Sequence, residues 1–308
     1  MKTFLVINPS SANGLTGRRW AELEGQASRA LGDFGHAFTR GPMDAAKLTT
    51  RALKEGYECI VAVGGDGTVN EVVNGLFEPG APGKLLNPDA CLGVWPRGTG
   101  GDFRRTFGWD TDTGKALARI GGTGSKMLDI GVLEYTTPLG ATALRYFANI
   151  CSFGVSGLVD KEVNQGSKAL GGKLSFMVGS LRALLKYQDR VVRLTLDDRP
   201  PEDVKVTTLA VAIGRYFGGG MCIAPNADPC DGIFDLTILT GFGLLDFALK
   251  SKALYDGTHT RLAGSRSLRA RKVRAESRDE VLLDVDGEQP GRLPCSMTLL
   301  PGAVRLKV

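Results

Sequence analysis

Asp66 stands inside Val63-Gly64-Gly65-Asp66-Gly67-Thr68-Val69-Asn70-Glu71, an acid and a hydroxyl set among glycines, with an amide and a second acid one turn on. Glycine lets such a turn tighten and lets a phosphate reach the main chain without meeting a Cβ. A loop of this kind entering a helix leaves backbone N–H groups that attract phosphate. The chemistry on offer is anion handling; the plainer alternative is a tight turn whose Asp66 caps a helix. Far along the chain, Asp286-Gly287-Glu288 places two carboxylates around a glycine pivot. Such groups can take a proton from an alcohol. The only two histidines, His36 and His259, lie near no nucleophile in a recognisable motif, which sets aside Ser-His-Asp and Cys-His mechanisms. Six cysteines form no C-x-x-C pair and read as reduced core residues. No G-x-x-x-x-G-K-[ST] run occurs, so this is not a P-loop protein.

These residues need elements to position them. Cys59–Val63 is an apolar run that reads as a buried parallel strand, and Val69, Val72, Val73 and Leu76 share one helix face. The same order of strand, loop and helix recurs. Strand Thr3–Asn8 precedes a helix over Arg18–Leu31 that Gly32 ends. Strand His36–Thr39 precedes a helix over Asp44–Glu55. Strand Cys91–Pro96 leads into Arg97-Gly98-Thr99-Gly100-Gly101-Asp102, and a helix over Asp112–Arg119 follows. Four βα units predict a doubly wound parallel sheet with its loops gathered at the strands' C-terminal ends.

The texture changes at Lys126. Short strand-like runs dominate: Met127–Tyr135, Leu144–Cys151, Val191–Leu196, Val204–Ile213, Ile233–Leu239, Leu268–Ala275, Val281–Val285 and Cys295–Leu300. Their density predicts an antiparallel sandwich, interrupted by one helix, Leu174–Tyr187, whose apolar stripe packs into the core. The fold class expected is therefore α/β plus all-β. Residues 1–125 form an α/β nucleotide domain and 126–308 a β-sandwich-like domain, with the last strand free to return to the first. A length of 308 residues accommodates both.

Gly-Gly-Asp-Gly-Thr resembles the signature shared by the diacylglycerol and sphingosine kinase catalytic domain and, more distantly, the NAD kinases. The continuation through Asn70-Glu71-Val72-Val73-Asn74-Gly75 resembles the lipid-kinase version, as do Pro96–Arg105 and the stretch Gly218–Gly232. One position departs from that pattern, Gly101 standing where the family carries asparagine. The resemblance covers nearly the whole chain in order, and implies a bacterial soluble lipid kinase that transfers the γ-phosphate of ATP to a lipid hydroxyl. The rivals kept open are an NAD kinase-like enzyme and a nucleotide-binding regulator without turnover.

By the same resemblance, the nucleotide is expected to meet Asn8, Pro9, Ser10, Thr39, Gly64, Gly65, Asp66, Gly67, Thr68, Asn70, Glu71, Gly98 and Thr99. Mg2+ is expected at Asp102 and Asp129, and a separate structural Mg2+ at Asp231 with main-chain oxygens of Asp228 and Ile233. The resemblance puts the Asp286–Glu288 turn in an interdomain cleft and places the general base either on this turn, Glu288 first and Asp286 second, or on Asp66, which is otherwise read as a phosphate or metal residue. The partner implied is a lipid at a membrane surface, not nucleic acid; a homodimer stays open. No apolar run approaches the roughly 18 residues of a membrane span and no signal peptide is evident, so a cytoplasmic protein, peripheral on the inner membrane face, is expected. Net charge is +5, and the basic run Arg261–Arg278 reads either as a lipid-headgroup surface or as a solvated sheet edge.

Overall fold

The computed structural model describes residues 1–159 and 187–308, so the helix expected over Leu174–Tyr187 lies outside the described residues except for Tyr187. The chain packs as two units, residues 1–130 with 300–308, and residues 131–299. Two long strands, β5 (Ser125–Thr136) and β15 (Arg292–Lys307), contribute residues to both.

In the first unit, β1 (Thr3–Ile7), β2 (Phe34–Phe38), β3 (Cys59–Gly64) and β4 (Cys91–Pro96) pair in parallel with the end of β15, in the order β2-β1-β3-β4-β15. Every residue of β1, β3 and β4 is buried, as central strands covered on both faces require. The helices are α1 (Leu15–Arg18), α2 (Trp20–Leu31), α3 (Asp44–Lys54), α4 (Asp66–Leu76), α5 (Asp102–Thr106) and α6 (Thr113–Gly121). On one face of the sheet, Leu5, Ile7, Val61, Val63 and Trp95 pack with Trp20 and Leu23 of α2 and with Leu117 and Ile120 of α6. The strand order runs one way from β1 to β2 and the other way from β3 to β4. The switch point therefore falls between β1 and β3, where open α/β sheets bind ligands.

The second unit holds two antiparallel layers. One has β6 (Thr142–Phe147) on β5, and β13 (Lys272–Glu276), β8 (Arg190–Leu196) and β9 (Glu202–Val206) in sequence from β15. The other runs β12 (Ser265–Ala270), β11 (Phe234–Leu239), β10 (Thr208–Ala212), β7 (Ile150–Gly154), β14 (Leu283–Val285). Their inner faces supply one core, in which Phe147 and Phe234 stack at 5.7 Å beside Phe153, Leu236, Val273 and Met297. The α/β-plus-sandwich class is as expected.

Three runs expected as single strands are each two strands in different layers. Leu144–Cys151 divides into β6 and β7, Val204–Ile213 into β9 and β10 at Thr207, and Leu268–Ala275 into β12 and β13 at Arg271. The chain turns a corner at each joint while its inward side chains stay in the same core; at Thr207 and Arg271 the alternation slips by one residue, Val206 being followed by Leu209 and Ala270 by Val273. Helix α7 (Leu244–Asp256) has no counterpart among the elements expected from sequence. Among the described residues no helix is long and apolar enough to cross a membrane.

His259 is completely buried beyond α7, its Nε2 3.2 Å from the carbonyl of Ile223. Burial pushes its pKa below the ordinary value, against a smaller opposing effect from the carbonyls of Ala253 and Ile223. The folded state thus keeps His259 neutral at a pH where the unfolded chain already takes up a proton. Stability is complete above the unfolded pKa near 6.5 and declines as pH falls from there towards the folded value. Urea midpoints measured from neutral pH downward should fall through this window. His259→Gln should flatten that slope; an unchanged slope would assign it to other groups.

Candidate active site

The ends of β1, β2, β3 and β4 line one edge of the first unit's sheet, with Ile7 opposite both Phe38 and Val63, and Gly64 opposite Pro96. Asn8, Thr39, Gly64 and Arg97 leave the sheet side by side, which gathers the expected nucleotide residues at the switch point. There Asn8 Nδ2 donates to Thr68 Oγ1 at 3.2 Å, and Asn8 Oδ1 accepts from the N–H of Ser10 at 3.0 Å. The Pro9 carbonyl accepts from Gly17, and the N–H of Thr39 bonds the Ile7 carbonyl at 2.8 Å. Gly67 is half-buried, while Thr99 is exposed on its loop.

The two glycine loops cross in contact. A Cβ on Gly65 would stand 3.1 Å from the Cα of Gly98, and one on Gly98 would collide with the Cα and N of Gly65. The Arg97 N–H bonds the Gly64 carbonyl at 2.7 Å just beside the crossing. Backbone cannot yield as a flexible side chain does. Gly98→Ala should therefore cost about 1–3 kcal/mol of stability and weaken nucleotide binding, measured by denaturation and calorimetry. Unchanged values in both would show that the loops are not held by this contact.

Asp66 opens α4, yet its carboxylate caps another helix. Oδ2 accepts from the N–H groups of Gly101 (2.7 Å) and Asp102 (3.2 Å), and Oδ1 from Phe103 (3.0 Å). Asp66 is thus a capping residue, as the plainer alternative has it, but the helix is α5, whose preceding residue Gly101 lies thirty-five residues on. Glu71 acts similarly at the start of α3, where Oε1 accepts from Met43 and Oε2 from Ala45, at 2.8 and 2.9 Å. Asn70 is buried and joined to Asn74. The sequence expectation puts Asp66, Asn70 and Glu71 on the nucleotide; here Asp66 and Glu71 fasten the starts of α5 and α3, and Asn70 is bonded to Asn74 within α4.

Gly101 has φ +70° and ψ 35°, in the left-handed region. Asparagine is among the few other residues that tolerate this region, so the departure from the family pattern keeps the same backbone. A Cβ at Gly101 would come within 2.5 Å of Arg104 Nε, so that side chain would have to move for asparagine to fit.

The expected metal residues do not assemble a cage. Asp102 pairs with Arg105 at 2.8 Å, and Asp129 Oδ1 accepts from the N–H of Gly302 at 2.6 Å. Among the described residues no group of three or more His, Cys, Asp or Glu could hold an ion. At the other expected site, Asp231 is paired with Arg269, and Arg271 Nε donates to the Gly232 carbonyl at 3.1 Å. The N–H of Asp231 also points to the Asp228 carbonyl, and that of Ile233 to Asp231 Oδ1. With Asp228 Oδ1 accepting from the N–H of Cys230 at 3.0 Å, and Asp231 and Asp235 both facing the Arg269 guanidinium, the turn is arranged around an arginine and not around a divalent ion.

In the second unit, Val285 and Glu288 bond each other's main chain across Asp286 (φ 50°) and Gly287 (φ 89°), a tight hairpin of the mirror-image type that Asp-Gly favours. Asp286 Oδ1 accepts from Ile150 at 2.9 Å and Oδ2 from Ala148 at 3.3 Å, which anchors the turn. Glu288 Oε2 pairs with Arg145 at 2.6 Å; the carboxylate is 41% exposed and the guanidinium 10%. Of the two acids, Glu288 presents its carboxylate outward. Sequence reasoning missed Asp284, whose Oδ1 accepts from the N–H of Gly287 at 2.9 Å and whose Oδ2 bonds the buried Ser152 hydroxyl at 2.9 Å. An acid alternating with Leu283 and Val285 inside an apolar strand was the available signal.

Three arginines of the basic run pair with acids. Arg266 pairs with Glu202, Arg269 with Asp231 and Asp235, and Arg274 with Glu276. Strand β12 is a sheet edge, where charges oppose edge-to-edge association.

Both halves have counterparts among known proteins. Residues 2–133 match the diacylglycerol kinase catalytic domain, and residues 149–308 match the YegS C-terminal NAD kinase beta sandwich-like domain. The chain belongs to the family in which a diacylglycerol kinase catalytic domain is followed by a YegS C-terminal NAD kinase beta sandwich-like domain. Similar proteins include a diacylglycerol kinase of Staphylococcus carnosus, 28% identical over 95% of this chain and 90% of that one. Another is a diacylglycerol kinase of Bacillus subtilis, 27% identical over 94% and 90%. A crystal structure of a diacylglycerol kinase from Bacillus anthracis shares the fold with a TM-score of 0.71 at 24% identity, covering 99% of this chain and 96% of that one.

Proposed function

We propose that this chain is an ATP-dependent lipid kinase that transfers the γ-phosphate to a hydroxyl of diacylglycerol or a related lipid alcohol. The observation that carries this reading is the switch-point cluster: glycine loops crossing at Gly65 and Gly98 beside an Asn8–Thr68 hydrogen bond. Gly64–Thr68 and Gly98–Thr99 would present main-chain N–H groups and hydroxyls to ATP phosphates. Because Thr68 accepts from Asn8, its own hydrogen stays available for a phosphate oxygen. Phosphoryl transfer depends mainly on such positioning and charge neutralisation. Bound Mg2+ would supply part of the neutralisation, held chiefly by the phosphates, since the described residues offer no carboxylate cage.

Glu288 is the proposed base for the acceptor hydroxyl, with Asp286 and Asp284 as positioning residues for its turn. Diacylglycerol is the first acceptor to test because the relatives are named for it. Peripheral contact with a membrane surface follows from that substrate class. The NAD kinase reading is favoured only by the description of the second domain. Labelled ATP offered with diacylglycerol, monoacylglycerol, ceramide, sphingosine, phosphatidylglycerol or NAD separates the two. The expected result is label in the organic phase with a glycerol lipid. Label confined to the aqueous NAD product would replace this reading, and no label in any product would favour the regulator.

A further inference from the structure

We infer that Arg269 is a built-in cation at the 228–233 turn, doing with a guanidinium what a divalent ion would do there. The turn joins a loop to β11 and carries two carboxylates: Asp228 accepts from the N–H of Cys230 at 3.0 Å, and Asp231 lies against Arg269. The same guanidinium reaches Asp235 at 3.4 Å, tying two acids together. Its position follows from strand register: Arg269 of β12 stands directly opposite Asp235 of β11. Opposite charges facing each other across an antiparallel pair are a stabilising arrangement. Arg271 adds a second anchor through its bond to the Gly232 carbonyl, and the N–H of Arg271 is itself fixed by Asp197 at 2.8 Å.

An ion bound to Asp231 would have to displace Arg269 and sit beside it. Mg2+ also demands near-octahedral oxygen coordination and gives up water reluctantly, so a cationic neighbour makes the exchange unfavourable. The turn is therefore metal-independent in this chain, and its charge balance is carried by a residue that cannot be chelated. Because Arg269 is half exposed, the contribution weakens as salt screens it.

Thermal unfolding of the full chain without nucleotide, at low salt, in EDTA or in millimolar MgCl2, tests this. The wild-type midpoint should be the same in both, and titration with Mn2+ should find no site that Asp231→Asn removes. Arg269→Met should lower the midpoint in EDTA by about 2–4 °C. Millimolar Mg2+ should restore part of that loss, since Asp231 and Asp235 are then left without a counter-charge. A wild-type midpoint that drops in EDTA and recovers with Mg2+, an effect abolished by Asp231→Asn, would overturn the inference. So would an Arg269→Met midpoint equal to wild type in EDTA. If Arg269→Met does not fold, the wild-type measurements decide by themselves.

Discussion

Glu288→Gln should lower kcat by about a hundredfold to ten-thousandfold, the usual range for a lost general base, with little change in the affinity for ATP. Glutamine keeps the length of the side chain and can still accept from Arg145, so the hairpin around Asp286 and Gly287 should persist. A base acts on the transfer step, which is why kcat carries the effect. Asp286→Asn should be impaired differently. One of its two oxygens becomes an NH2 facing a backbone donor, at either Ala148 or Ile150, so the turn loosens and thermal stability falls with activity. Single-turnover kinetics alongside calorimetry with ATP distinguish the two patterns. If Glu288→Gln turns over near-normally while Asp66→Asn loses kcat with ATP affinity intact, the base is Asp66.

The second large effect is expected at Asp66 itself. Its carboxylate accepts three N–H groups at the start of α5, and an amide in its place can serve only one side of that set. Charge-assisted caps are worth more than neutral ones, so Asp66→Asn should cost about 2–4 kcal/mol of stability in the first unit. The Gly98–Gly101 loop depends on the same anchor, and ATP affinity should fall together with stability. Chemical denaturation and ATP titration on one preparation read both. Normal stability combined with a loss confined to kcat would mean that the cap is dispensable and the carboxylate works on the reactants.

Much of the first unit was legible because β1, β3 and β4 are apolar runs that meet asparagine, glycine and proline, and α2, α3, α4 and α6 each show one apolar face. In the second unit the same cues find β8 and β11 but not the corners. Thr207 and Arg271 are single joints inside alternating runs, and the corner between layers shows there as a one-residue slip in the alternation. At the candidate site, residue types were readable and partners were not. Asp66 meets N–H groups at Gly101, Asp102 and Phe103, and Glu71 meets Met43 and Ala45, pairings set by how helices pack around a sheet. Arg269 shows the same limit. As one arginine in a basic run it reads as surface charge, and only the register of β11 with β12 brings it to the turn that the family pattern marks for a metal.

Residues 300–308 belong to the first unit although the whole second unit precedes them. On the ribosome, the strand that completes the parallel sheet beside Cys91 and Leu92 is therefore made after the entire sandwich. The sheet that carries the glycine loops must wait with an open edge at β4 while the later unit emerges and folds. The order of synthesis and the order of completion are thus reversed: the part of the chain made first is the last to close.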